Sequence, residues 1–145
     1  MATFRKPISL RMGYHQWRQM REDVERNSPE EACGMMAGIA NDTVYTVTWV
    51  IPAVNILHSQ SKYRIDPQEQ LDAFNKIEEL GLEMVGIYHS HPKGPDSPSP
   101  TDVSEAYYPE AVSLVWSART GVWKCRGFVI QEASVIEIPV IVDRV

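Results

Sequence analysis

The sequence predicts an α/β fold, a mixed sheet with helices on both sides. Three observations predict it. Residues 10–26 and 66–80 repeat apolar side chains every three or four positions, the period of a helix with one buried face. Residues 31–40 and 43–51 are apolar runs joined by Asn41-Asp42, a hairpin signal. Residues 83–88 are apolar on both faces, as in a strand buried at the centre of a sheet. The order is helix, hairpin, helix, strand, helix and then several strands.

Taken in order, residues 1–9 carry little signal and read as a short lead-in. In 10–26, Tyr14, Trp17, Met20 and Val24 build one apolar face, and Asn27-Ser28-Pro29 ends the helix. That aromatic and methionine stripe reads as core rather than a cofactor site. Gly34 and Gly38 weaken the first hairpin strand unless backbone or a ligand comes close there. Residues 52–64 form a connection containing His58. Asp66 reads as an N-cap, with Pro67 at the first helical position and Glu69 completing a capping box. Leu71, Phe74 and Ile77 face the core, and Leu80-Gly81 stops the helix. Residues 100–108 make a short helix. In 111–117, Val112, Leu114 and Trp116 alternate as a strand, and Arg119-Thr120-Gly121 turns it into 122–130. Residues 134–142 form a last strand that Pro139 marks as an edge.

Composition bounds the function. A chain of 145 residues is expected to be one domain, 1–145, and 43% hydrophobic residues suffice for a sizeable core. A net charge of -5 argues against nucleic acid as a partner. No signal-peptide pattern and no apolar run of about eighteen residues occurs, so no membrane role is expected and the cytoplasm is the default. Two cysteines, Cys33 and Cys125, make no disulfide framework.

The chemistry gathers after the central strand. His89 and His91 stand two apart, so they project to one face while Ser90 turns away. A loop follows in which residues 92–101 hold four of the ten prolines, and then comes Ser99-Pro100-Thr101-Asp102. Proline fixes φ, so such a loop can hold ligands in place. Two imidazoles and a returning carboxylate are three ligands, which leaves a fourth position open, as in a catalytic zinc site. Each part also has a plain reading. A His-x-His pair alone says little. Ser-x-x-Asp with proline second is a capping box, in which Asp102 binds a backbone amide. The combination favours metal, because polar residues ending a core strand cost free energy without a task.

His89-x-His91-x7-Ser99-x-x-Asp102, with Gly86 before it and Pro92 after, resembles the motif of the JAMM (MPN-plus) metalloproteases. Glu31-Ala32-Cys33-Gly34 resembles that family's upstream glutamate segment, and Tyr63-Arg64-Ile65-Asp66-Pro67 the lead into its second helix. By sequence alone Glu31 is a solvated strand end; the resemblance makes it, rather than Glu30, the general acid/base. The resemblance implies a curved, mostly antiparallel sheet between helices, similar to cytidine deaminases. It implies Zn2+ held by His89, His91 and Asp102, with Ser99 stabilising the oxyanion. It implies hydrolysis of a peptide or isopeptide bond beside the C-terminus of a ubiquitin-like or sulfur-carrier protein. The compact chain is similar to the prokaryotic single-domain members. His58 and Arg64 lie where such families hold substrate; His15 is given no role, and Cys33 is read as a small buried hydrophobe.

Three rivals remain on the residues alone. One is a non-catalytic binding module, against which all five motif positions stand. Another is a small-molecule metallo-amidase. The third is a non-haem iron enzyme, since two histidines and a carboxylate also form an iron triad. The oligomeric state is not readable.

Overall fold

The central strand Glu83–His91 is the fourth of eight in one sheet. The computed structural model describes residues 4–144. The strands are β1 (Ser9–Gly13), β2 (Cys33–Asn41), β3 (Val44–Ala53), β4 (Glu83–His91), β5 (Val112–Ser117), β6 (Lys124–Gln131), β7 (Ser134–Ile138) and β8 (Val140–Asp143). The helices are α1 (Tyr14–Asn27), α2 (Pro67–Glu79) and α3 (Pro100–Ser104). The order across the sheet is β7-β6-β5-β4-β2-β3-β1-β8. β2–β3, β2–β4, β5–β6 and β6–β7 are antiparallel; β1–β3, β1–β8 and β4–β5 are parallel.

Helices lie on both faces, as the periodicity predicts. Met20 and Val24 of α1 join Tyr88, Leu114 and Trp116 in one core. Ala73 and Ile77 of α2 join Cys33, Met35 and Ala37 in the other. Two glycines in β2 are there for close approach. A Cβ on Gly38 would run into the Thr46 carbonyl where the β2–β3 register slips, and one on Gly34 would overlap the Tyr88 ring. Tyr88 needs that room, because its hydroxyl donates to Asp23 of α1 at 2.7 Å. No helix among the described residues is long and apolar enough to cross a membrane.

Several expected boundaries move. The predicted helix 10–26 begins only at Tyr14. Leu10 and Met12 are buried while Ser9, Arg11 and Gly13 are not, so this stretch alternates with period two and pairs with β3 and β8. The predicted last strand 134–142 splits at Pro139, which has no N–H to give a ladder. Its carbonyl instead accepts from the Leu10 amide at 3.0 Å, and the chain passes from one edge of the sheet to the other. The predicted helix 100–108 is a single turn, after which the Tyr108 hydroxyl accepts from the Gln70 amide at 2.6 Å and holds the chain against α2. Leu71 is 53% exposed and not core; Ala73 and Ile77, four apart, form the buried row. The Asp66 cap is made, but the Glu69 side chain accepts from the Val54 amide at 3.1 Å rather than closing the box.

Candidate metal centre

β4 is flanked by β2 and β5, so its C-terminal end is buried on both sides and the two histidines emerge inside the protein. Their Nε2 atoms stand 3.1 Å apart. Asp102 arrives from the first turn of α3, with Oδ2 at 3.1 Å from His89 Nε2 and 3.2 Å from His91 Nε2. The capping reading holds at the same time. Asp102 Oδ2 also accepts from the Ser99 amide at 2.8 Å, while Ser99 Oγ accepts from the Asp102 amide at 3.1 Å. The cap therefore aims the carboxylate rather than consuming it.

Glu31 lies just ahead of β2 and is 3% exposed. Its Oε2 is 3.9 Å from His91 Nε2, and its Oε1 is buried with no partner. Glu31, His89 and His91 offer donor atoms that all lie within 4.8 Å of one another. Asp102 closes more tightly on the imidazoles than Glu31 does, so the direct distances favour it as the third member of the triangle.

The electrostatics set these groups apart. Burial opposes the Asp102 charge, but hydrogen bonds to His89, His91 and the Ser99 amide outweigh it and hold the carboxyl well below its usual range. Burial lifts the Glu31 carboxyl to about 7, with His91 pulling it down and Asp102 pushing it up. Burial pushes His89 down. His91 is raised because its bonds to Asp102 and the Pro95 carbonyl outweigh burial.

These residues fit a metal ion. His91 Nδ1 donates to the Pro95 carbonyl at 2.8 Å, which fixes the ring and turns Nε2 toward Asp102. A proton on the imidazole or a metal ion held by the three groups would offset the Asp102 charge there, and two imidazoles with a carboxylate suit zinc. Tetrahedral ligands about 2.0–2.1 Å from zinc stand roughly 3.3 Å apart, close to the triangle observed. Cys33 is not part of the triangle: its thiol is pushed up to about 12 by burial, and its Sγ lies 3.9 Å from the Ala53 carbonyl.

Other candidates fall outside the cluster. Glu30 faces His58 at 3.6 Å on the surface, and His15 is exposed on α1. Arg64 lines a cavity of about 190 Å³ beside Asp102, with Tyr63, Ile65, Ile87 and Tyr108. Tyr63 stands in the motif before α2 with no expected role, yet its ring stacks on His89 with centroids 4.6 Å apart. Nothing in the local sequence ties it to His89, 26 positions later, except its place in that motif.

A mixed sheet that brings two buried imidazoles and a capped carboxylate onto one point defines a metal-site α/β domain. The chain belongs to the family of prokaryotic homologs of the JAB domain, which matches residues 15–129. It is 37% identical to the desampylase of Haloferax volcanii, over 67% of this chain and 69% of that protein. It is 36% identical to the probable TtuB-protein conjugate cleaving protease of Thermus thermophilus, over 85% and 77%. It is 36% identical to the CysO-cysteine peptidase of Mycobacterium tuberculosis, over 81% and 80%. The solution structure of a protein from Desulfitobacterium hafniense superposes with a TM-score of 0.85 at 30% identity, covering 94% of both chains.

Proposed function

We propose that this chain is a zinc-dependent hydrolase, one catalytic domain over 1–145, acting in the cytoplasm. It cleaves a peptide or isopeptide bond next to the C-terminus of a ubiquitin-like or sulfur-carrier protein. The observation that carries the reading is the 3.1–3.2 Å triangle of His89, His91 and Asp102, with the Glu31 carboxylate beside it and its Oε1 unpartnered. The substrate class is supported by the relatives, which are named a desampylase, a probable TtuB-protein conjugate cleaving protease and a CysO-cysteine peptidase.

His89, His91 and Asp102 would hold the ion. Zinc bound there supplies Lewis acidity, polarising oxygen and easing its loss of a proton. Glu31 takes the proton from the attacking water and returns it to the leaving amine, which leaves poorly without it. Burial raises this carboxyl above its usual range in the metal-free protein, a direction that suits a group that both takes and returns a proton. Ser99 accepts from the Asp102 amide with its oxygen, so its O–H remains free to donate to the developing oxyanion. The cavity beside Asp102, walled by Tyr63, Tyr107 and Tyr108 with Arg64 and Glu105 at its lining, gives the substrate chain a place to lie.

The test is intact mass spectrometry of a sulfur-carrier protein extended past its Gly-Gly end, with zinc-loaded enzyme. A product ending at Gly-Gly, lost with chelator and with Glu31→Gln, is expected. Uncleaved conjugate with cleavage of a free amino-acid amide would move the assignment to a small-molecule amidase.

A further inference from the structure

Glu31 sits outside any regular element, two residues ahead of β2, yet its carboxylate must keep its place beside His91. We propose that Asn55 and Ser90 are positioning residues that clamp the Glu31–Ala32 backbone from two sides. The proposal rests on Glu31 being the general base.

Asn55 is the outer half of the clamp. It is 7% exposed, and its side chain makes four hydrogen bonds. Nδ2 donates to the Glu31 carbonyl at 3.0 Å and to the Lys62 carbonyl at 2.9 Å. Oδ1 accepts from the Leu57 and Arg64 amides, each at 3.1 Å. The Glu31 amide in turn donates to the Ser59 carbonyl at 2.9 Å. Both backbone polar groups of Glu31 are thus held by the loop that Asn55 ties together. Only a carboxamide offers two donors and a two-lone-pair acceptor in one plane, so no other side chain of that size can replace it.

Ser90 is the inner half. The strand period that points His89 and His91 into the site points Ser90 the other way. Its Oγ accepts from the Ala32 amide at 2.8 Å, and its own amide donates to the Ala32 carbonyl at 3.1 Å. The register of Glu31 against the imidazoles is therefore set by the residue between them. Glu31 Oε1 has no partner of its own, so the backbone carries the placement. A misplacement of about 1 Å at a reacting group costs about 100-fold in rate.

The test compares Asn55→Asp and Ser90→Ala with Glu69→Ala. The last variant releases the Val54 amide at the start of the same loop without touching Glu31. Both clamp variants are expected to keep zinc affinity and KM within about threefold of wild type while kcat falls about 10- to 100-fold. In the metal-free protein, hydrogen exchange at the Glu31 and Ala32 amides is expected to speed up by about tenfold or more. Glu69→Ala is expected to lower Tm and leave kcat unchanged. Unchanged exchange at those amides overturns the clamp. So does an unchanged kcat, or an equal kcat loss in Glu69→Ala at equal loss of Tm. A wild-type protein with no turnover on the conjugate would instead sink the proposed function, and the exchange rates would still decide whether Asn55 and Ser90 hold this backbone.

Discussion

Asp102 performs two tasks with one oxygen, and this separates its variants. Oδ2 accepts the Ser99 amide and faces both imidazoles. Asp102→Asn keeps an acceptor for the cap but loses the charge. Its zinc affinity is expected to fall by about 100-fold or more, with α3 intact, as read by chelator competition and circular dichroism. Glu31→Gln is expected to bind zinc normally and lose about 10²- to 10⁴-fold in turnover, the usual share of general acid–base catalysis. Glu31 also makes a pH prediction for the chelated protein. Its carboxyl is raised in the fold from 4.5 to about 7, so the folded state holds the proton more tightly than the unfolded chain. The resulting stability is fully present below about pH 4.5 and is lost as pH rises through about 7, a loss of about 3 kcal/mol at most. Urea unfolding in chelator at pH 5 and pH 8 should show a steeper fall in wild type than in Glu31→Gln, which keeps only the His91 part. Equal slopes in the two proteins would mean that Glu31 is not buried as a neutral acid.

At the scale of elements, the site was legible where it is local. His89, His91, Ser99 and Asp102 lie within fourteen residues, and a strand end followed by a capped turn brings them together from sequence spacing alone. Glu31 needed a resemblance, because 58 positions separate it from His89 and only the β2–β4 pairing joins them. Asn55 carries no signal, since its bonds depend on how a loop packs, Ser90 is placed by the chain beside β4, and Tyr63 is marked only by its motif. The start of the first helix departs from expectation for the same reason. Leu10–Met12 adjoins a strong helical pattern, and only its parallel partners, far along the chain, make it a strand. Two elements carry a further prediction. Arg126 of β6 pairs with Asp96 at 2.9 Å, which braces the loop whose Pro95 carbonyl orients His91. Arg126 also holds Glu137 at 2.6 Å, and the whole group is partly exposed, so its effect is modest. Arg126→Ala is expected to speed zinc dissociation by about threefold, within the range of a surface ion pair, by stopped-flow chelation. No change would leave the prolines alone to hold the loop.

Across the whole molecule, the sheet curls until its two edges nearly meet. β7 and β8 lie at opposite ends of the strand order but are consecutive in the chain, with only Pro139 between them. A Cβ on Gly127 of β6 would come within 3.0 Å of Val140 on β8, which shows how closely the far edge folds over. The His89–His91–Asp102 cluster sits at the end of β4, supported by β2 and β5. Edge and site should therefore be energetically separable. Ending the chain at Ile138 removes β8, leaves β1 paired with β3 alone and uncovers part of the core reached by Val140 and Val142. The truncated protein is expected to lose several degrees of Tm. Zinc binding at 100 times its Kd stabilises a folded protein by about 2.7 kcal/mol, or about 10 °C for a domain of this size. That increment should be the same in the full and truncated chains and absent in Asp102→Ala, as measured by thermal unfolding with and without zinc. A truncated chain that melts lower but gains the full increment would show a site built on the central strands alone. An increment that shrinks with β8 would show that closure of the sheet helps to hold the two histidines in register.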